Sequence, residues 1–106
     1  MGKEEGLIQA AIKEYLERLG YWVIRVQCGQ VLVRGGVMHL ARPGTSDLIT
    51  WLPGTGRLFC IETKTPDGKL SNEQREFRAK VENEGGLYCC AMCIEDVQRK
   101  LKEVKN

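Results

Sequence analysis

The sequence predicts an α/β fold in which helices flank a central mixed β-sheet, with the element order α-β-β-β-β-α-β-α. Three observations lead to this prediction: an N-terminal segment with helical apolar spacing, a series of strand-like segments after it, and two more helical segments separated by one strand. Helices that alternate with strands in this way pack on a sheet. With 106 residues, the chain is long enough for one hydrophobic core, and we expect residues 1–106 to be a single domain.

The predicted helices have apolar side chains on one face and recognisable ends. They are residues 4–19, 71–84 and 95–104. Gly20 ends the first helix and Gly85 follows the second, since glycine readily adopts the backbone conformation found after a helix C-terminus. Ser71 begins the second helix as its N-cap.

The predicted strands are short apolar segments separated by turn residues. They are residues 21–28, 31–33 with a continuation at 37–40, 47–52, 57–62 and 87–92. The pair Gly35 and Gly36 predicts a bend or bulge within the second strand. Pro53, Gly54 and Gly56 predict a turn, so the strands on either side of it form a hairpin in the centre of the sheet.

The predicted hairpin places two carboxylates opposite each other. If residues 53–56 form the loop, counting outward from it pairs Asp47 with Glu62. Like charges at this spacing destabilise a sheet, so we expect a positive group between them. Lys64 lies on the same face as Glu62, because side chains alternate along a strand.

Two acids and a lysine on one sheet face suggest a metal-dependent hydrolytic site. Carboxylate oxygens suit Mg²⁺ or Mn²⁺, which bind phosphate oxygens and can activate a water molecule. Lys64 would then orient the water and stabilise charge in the transition state. The alternative is an acid-rich strand end with an ordinary surface Glu-Lys pair, and the spacing alone leaves both open.

The composition restricts the class of protein only in part. A formal charge of +2 neither requires nor excludes a nucleic-acid partner. The sequence contains no apolar run long enough for a membrane span or a signal peptide, so we expect a cytoplasmic protein without a membrane partner. We expect the five cysteines to be free and buried, and Cys90 and Cys93 to be a poor metal pair because they point to opposite faces of a strand.

Three segments together resemble the PD-(D/E)XK nuclease superfamily, and most closely its VRR-NUC branch of virus-type replication and repair nucleases. They are Gly44-Thr45-Ser46-Asp47-Leu48-Ile49, Ile61-Glu62-Thr63-Lys64 and Gln74. The resemblance extends from residue 5 to about residue 92. One position departs from the family pattern, since Ser46 stands where the family has a proline that shapes the turn before the acid.

The resemblance implies a restriction-endonuclease-like core and a specific set of site residues. The implied catalytic residues are Asp47, Glu62, Lys64 and Gln74. The implied ligands of Mg²⁺ or Mn²⁺ are Glu5, Asp47, Glu62 and the backbone carbonyl of Thr63.

Glu5 and Gln74 each have a structural role that competes with the implied one. Glu5 shares a helix face with Gln9, so Glu5 could reach the metal while Gln9 reaches DNA or a neighbouring strand; Glu4 is an adjacent rival. An acid in the first helical turn also complements the helix dipole. Gln74 stands three residues after Ser71, where its side chain fits a capping box. The residues alone leave these alternatives open.

The resemblance also implies DNA as the substrate. Small stand-alone members of the family are expected to act as homodimers on branched DNA such as four-way junctions, and residues 31–40 are the expected dimer interface. The candidate phosphate contacts are Arg42, Lys69, Arg75 and Arg78. The expected activity is therefore that of a metal-dependent DNA endonuclease. The alternatives are a catalytically silent nucleic-acid-binding or scaffold module of the same fold, and a restriction-type enzyme.

Overall fold

The computed structural model describes residues 2–105, which form three helices and six strands. The helices are α1 (Lys3–Arg18), α2 (Asn72–Asn83) and α3 (Ile94–Lys105). The strands are β1 (Ile24–Arg25), β2 (Gln30–Val33), β3 (Gly36–His39), β4 (Leu48–Trp51), β5 (Leu58–Thr63) and β6 (Leu87–Ala91). Within residues 2–105, each helix is too short or too polar to span a bilayer.

Four strands form the central sheet in the order β1-β4-β5-β6. Strand β4 is antiparallel to both of its neighbours, whereas β5 and β6 are parallel, so the sheet is mixed as predicted. A parallel pair needs a crossover connection, and α2 supplies it between β5 and β6. The predicted α/β fold class is confirmed.

Each face of the sheet has its own apolar core. Helices α1 and α3 cover one face, where Ile12 and Val97 pack with the buried Phe59. Helix α2 covers part of the other face, where Val81 packs with Cys60 and Tyr88. Because side chains alternate along β5, Cys60 and Glu62 lie on the face that α2 covers. The positions of the acids therefore depend on how α2 packs.

The segment between β1 and β4 differs from the prediction. Gly35 has a φ of +91° and lies in a turn that reverses the chain. Val33 therefore pairs with Gly36, and residues 31–40 belong to a separate two-stranded hairpin, β2–β3, instead of one bent strand. The observed order is α-β-β-β-β-β-α-β-α. Glycine suits a bulge and a turn equally well, which is why the sequence did not separate the two.

The cysteines are free thiols as predicted, but their expected burial was only partly correct. Cys60 and Cys89 are buried, whereas Cys28, Cys90 and Cys93 are exposed. Cys89 and Cys90 differ in exposure because neighbouring side chains of β6 point to opposite faces of the sheet. Cys90 faces a part of the sheet that α2 leaves open.

Candidate active site

The β4–β5 register brings Asp47 and Glu62 together. Leu48 pairs with Ile61 at the end of the ladder, so the next step outward places Asp47 opposite Glu62. The turn at the other end of the hairpin consists of residues 53–56, because the backbone amide of Leu52 donates a hydrogen bond to the Arg57 carbonyl across it. The outward count from the turn is confirmed.

Two hydrogen bonds from Thr63 fix the carboxylate of Asp47. The Thr63 amide donates to Asp47 Oδ2 at 2.9 Å, and the Thr63 hydroxyl donates to the same oxygen at 2.7 Å. The residue before Asp47, Ser46, is buried, and its hydroxyl donates to the Leu48 carbonyl at 3.1 Å. A side-chain hydrogen bond thus supports the turn at the position where the family has proline.

Glu62 is a buried acid with one oxygen left unpartnered. The residue is 3% exposed, and its Oε2 accepts a hydrogen bond from Gln74 Nε2 at 3.0 Å. Its Oε1 is buried without a hydrogen-bond partner among the described residues. Burying a polar atom without a partner destabilises a protein, so Oε1 favours a cation or a donor that binds there.

The surroundings of Glu62 favour its protonated form. Burial, followed by the negative charge of Asp47, raises the pKa of Glu62 to about 8. The positive charge of Lys64 opposes this rise only in part. A divalent cation would favour the ionised carboxylate instead, because metal ligands bind in their deprotonated form.

Gln74 fills both of the roles that the sequence left open. Its side-chain Oε1 accepts from the backbone amide of Ser71 at 2.8 Å. Its backbone amide donates to Ser71 Oγ at 3.1 Å, and the two bonds form a capping box at the start of α2. Its Nε2 is free of the cap and donates to Glu62. One side chain therefore joins the helix start to the acid pair.

An open hollow of about 480 Å³ lies beside the carboxylates and gives a ligand access to them. Asp47, Glu62 and Gln74 line it together with Gln9 and Arg25. Gln9 is 4% exposed, and its Oε1 accepts from Arg25 Nε at 3.0 Å. Of the two partners that the sequence left open for Gln9, DNA or a neighbouring strand, the structure shows the contact with the strand. Arg25 lies on β1, so this hydrogen bond joins β1 to α1 at the hollow.

The remaining predicted site residues differ in how close they come to the acid pair. Lys64 directly follows β5, and its charge acts on the pKa of Glu62. Glu5 is half-buried on α1 and does not line the hollow. Within residues 2–105, no three Asp, Glu, His or Cys side chains form a group that could hold a metal ion. Glu5 and the carbonyl of Thr63 as ligands stay predictions.

Asp47 and Glu62 nevertheless fit a divalent cation. Mg²⁺ takes one or two protein carboxylates and keeps several water ligands, so a complete protein cage is not required. The unpartnered Oε1 of Glu62 is the observation that supports this fit. When bound, Mg²⁺ or Mn²⁺ would supply charge stabilisation and an acidified water.

Three of the four predicted phosphate-binding residues come together in the structure. Lys69, Arg75 and Arg78 line one surface hollow of about 520 Å³ on α2 and the segment before it. Arg42 lines a different hollow, and its guanidinium lies 3.9 Å from the carboxylate of Glu76. Glu82 also lines this hollow, with its carboxylate 3.4 Å from Arg78 Nε, so three cations and one acid form what we call the basic groove. Arg42 stands apart from it.

The structure is an α/β domain with two paired carboxylates at the end of its central hairpin. The model of the VRR-NUC domain family matches residues 3–92, so the chain belongs to this nuclease-like family. A solved structure of a VRR_NUC domain has the same fold, with a TM-score of 0.69 and 22% sequence identity, and the match covers 95% of this chain and 97% of that one. No curated protein matches the chain. The family predicted from the sequence is confirmed.

Proposed function

We propose that this protein is a divalent-metal-dependent endonuclease that hydrolyses phosphodiester bonds in DNA. One observation carries the proposal: Glu62 is buried opposite Asp47, beside an open hollow, with an oxygen that has no hydrogen-bond partner in the part of the chain that the structure describes. Such an arrangement is costly in the free protein and becomes favourable when a cation binds. Membership of a nuclease-like family supports phosphodiester hydrolysis as the reaction.

Each side chain has a distinct role in this proposal. Asp47 and Glu62 hold the metal, with Glu5 and the carbonyl of Thr63 as further ligands. Thr63 also orients Asp47 through its amide and hydroxyl, while Gln74 orients Glu62. Lys64 positions the attacking water and stabilises negative charge as the scissile phosphate reacts.

The basic groove of Lys69, Arg75 and Arg78 supports binding of the DNA backbone. Phosphate contacts of this kind position a substrate without reading its sequence, and each contributes to the salt dependence of binding. Arg42 would contact the substrate from the other side of α2.

We further propose that the protein is a homodimer that acts on branched DNA. The eight residues of β2 and β3 are exposed, five of them are large and apolar, and Leu32, opposite Val37, is 88% exposed. An isolated two-stranded hairpin is only marginally stable in water, so a second copy that covers it would stabilise it. A two-fold dimer offers paired active sites, which suits a branched substrate.

The test is a cleavage assay on a labelled four-way junction, a splayed flap and a linear duplex, each with Mg²⁺, Mn²⁺ or EDTA. We expect cutting with metal and none with EDTA. Lys64→Ala should lower the rate by about 10²- to 10³-fold, as loss of one transition-state stabilising group does. Lys102→Ala, an exposed lysine on α3, is the matched control and should cut normally. If neither metal supports cutting of any substrate, the proposal fails.

A further inference from the structure

Two tryptophans lie on a part of the central sheet that no helix covers. Ile24 pairs with Ile49 in the β1–β4 ladder, and the Thr50 hydroxyl donates to the Trp22 carbonyl at 2.7 Å, so the chain just before β1 runs alongside β4 near Trp51. Trp51 in turn pairs with Leu58 on β5. Trp22 is 71% exposed, Trp51 is 44% exposed and Leu58 is 42% exposed. These three side chains form a solvent-exposed row across neighbouring segments of the sheet, here called the aromatic row. Large apolar patches of this kind on a soluble protein mark interaction sites.

This aromatic row is on the same sheet face as the catalytic acids. Side chains alternate along β4, so Asp47, Ile49 and Trp51 point to one face. Val23, between Trp22 and Ile24, is buried in the core beneath α1 and α3, which places its two neighbours on the opposite face. The row therefore continues the surface that begins at the active site.

Both indoles are partly exposed to solvent, and the ring-to-ring contact that the described residues contain does not involve them. Among the residues that the structure describes, the aromatic rings in contact with each other are those of Phe77 and Tyr88, which lie under α2. Arg57 precedes Leu58 and is exposed, and its Nε donates to the Gly85 carbonyl at 2.7 Å, so a positive charge is held at the start of β5. Aromatic faces next to a cation are the combination that binds single-stranded nucleic acid.

We propose that Trp22 and Trp51 form a stacking platform for unpaired nucleotides of the DNA that this protein cuts. The inference rests on the proposed nuclease function and, among the branched DNAs proposed as substrates, concerns those with unpaired strands, such as the splayed flap. Trp51 lies four residue steps along the extended strand from Asp47, a distance of roughly 13 Å. About four nucleotides at a stacked spacing of about 3.4 Å cover that distance, so one strand can reach both the platform and the acids.

A second copy of the chain is the competing occupant, and two observations favour nucleotides. The proposed dimer surface, β2–β3, lies at the other end of the face, since Val31 lines the hollow beside Asp47. The row is also continuous with the active site through Ile49, which is half-buried between them. A strand of substrate must leave the active site along the sheet surface, and the row offers it stacking partners.

The test uses an oligodeoxythymidine of about 12 nucleotides, within the roughly 4 to 16 that such platforms cover, in the presence of EDTA. The chain has two tryptophans, Trp22 and Trp51, so its intrinsic tryptophan emission reports on this surface alone. We expect saturable quenching of that emission as the oligonucleotide binds.

Substitutions separate stacking from simple apolar contact. Trp22→Leu and Trp51→Leu should each weaken binding by about 5- to 150-fold, measured by anisotropy of a labelled oligonucleotide, because each removes one stacked base. Trp22→Phe and Trp51→Phe keep an aromatic face and should retain most of the affinity. Leu7→Ala removes an exposed apolar side chain on α1 and should bind as the wild type does. Far-UV circular dichroism checks that each variant is folded.

Two results would overturn the proposal. One is binding of the oligonucleotide with equal affinity by the wild type and both leucine variants. The other is a blue shift of the wild-type emission that grows with protein concentration in the absence of DNA, which would show that a second copy covers the row. Since the assay contains EDTA, it does not depend on cleavage, and a failure of the nuclease proposal is detected separately with Mg²⁺ and Mn²⁺.

Discussion

At the scale of single residues, Gln74 links the stability of a helix to the geometry of the acid pair. Its carbonyl oxygen closes the capping box with Ser71, and its amide nitrogen donates to Glu62. The two functions use different atoms of one side chain, so they can be separated by substitution. At Glu62, measurements without metal likewise separate the effect of protonating its buried carboxyl from the effect of metal binding.

Gln74→Glu should preserve the helix start and impair catalysis. A glutamate at this position still accepts from the Ser71 amide, but it cannot donate to Glu62 and it adds a negative charge. We expect cleavage to fall by about 10- to 100-fold, as changes to groups that orient a metal ligand do. Ser71→Ala is the control: it should cost about 1 kcal/mol of stability while retaining the rate. Wild-type cleavage by Gln74→Glu would show that the bond to Glu62 is dispensable.

The pKa of Glu62 predicts that the metal-free protein loses stability as the pH rises. The pKa is raised from 4.5 to about 8, so between these values the folded state holds a proton that the unfolded state has released. Stability must then fall with rising pH in that window, by up to about 1.4 kcal/mol per pH unit.

Glu62→Gln removes this titration and is the appropriate comparison. Its free energy of unfolding, measured with urea in EDTA, should exceed that of the wild type by an amount that grows from pH 5 to pH 8. A difference that stays constant across this range would mean that Glu62 titrates normally in the folded protein.

At the scale of elements, the loop that precedes Asp47 is packed tightly against the start of α2. Gly44 has a φ of +98°, and a Cβ atom added there would lie 2.5 Å from the Glu73 carbonyl oxygen. Only glycine fits this approach, because the contact is with backbone. The loop carries Asp47 and the helix carries Gln74, so this one contact sets the distance between two parts of the site.

Gly44→Ala should therefore reduce both stability and cleavage. The substitution combines an unfavourable φ, which costs about 1 to 3 kcal/mol, with a clash that moves the loop away from α2. Gly54→Ala is a matched control, since Gly54 has a φ of +90° but no atom within 4 Å of an added Cβ. We expect Gly54→Ala to lose stability and keep its cleavage rate. Equal cleavage by the two variants would contradict the role of the contact.

The elements predicted correctly are those whose signals are local. The position of Asp47 opposite Glu62 follows from one turn and from the alternation of side chains on the two strands that flank it. The capping box of Gln74 follows from its spacing after Ser71. The β2–β3 hairpin was not recognised, because Gly35 permits a bend or a reversal and the choice depends on which strand finds a partner. The contact between Gln9 and Arg25 joins residues sixteen apart through packing, so the sequence could only suggest it.

At the scale of the whole molecule, the principal extents of 50 × 29 × 27 Å describe an elongated body with an exposed apolar hairpin. Leu32→Glu should convert the proposed dimer into a monomer, because it places a charge in the centre of the interface. Light scattering coupled to size exclusion measures the mass directly. Leu7→Glu, at an exposed position on α1, is the control and should remain dimeric. A wild-type protein that is monomeric at all concentrations would contradict this assignment.

The most direct measurement of the central claim is cleavage of a labelled four-way junction in Mg²⁺ by wild type, Asp47→Asn and Asp67→Asn. Asp67 lies exposed in the turn after β5, so its variant removes the same charge away from the acid pair. We predict that wild type and Asp67→Asn cut at similar rates, while Asp47→Asn is slower by about a hundredfold or more. Cleavage by Asp47→Asn at the wild-type rate would contradict the assignment of Asp47 and Glu62 as the catalytic metal site.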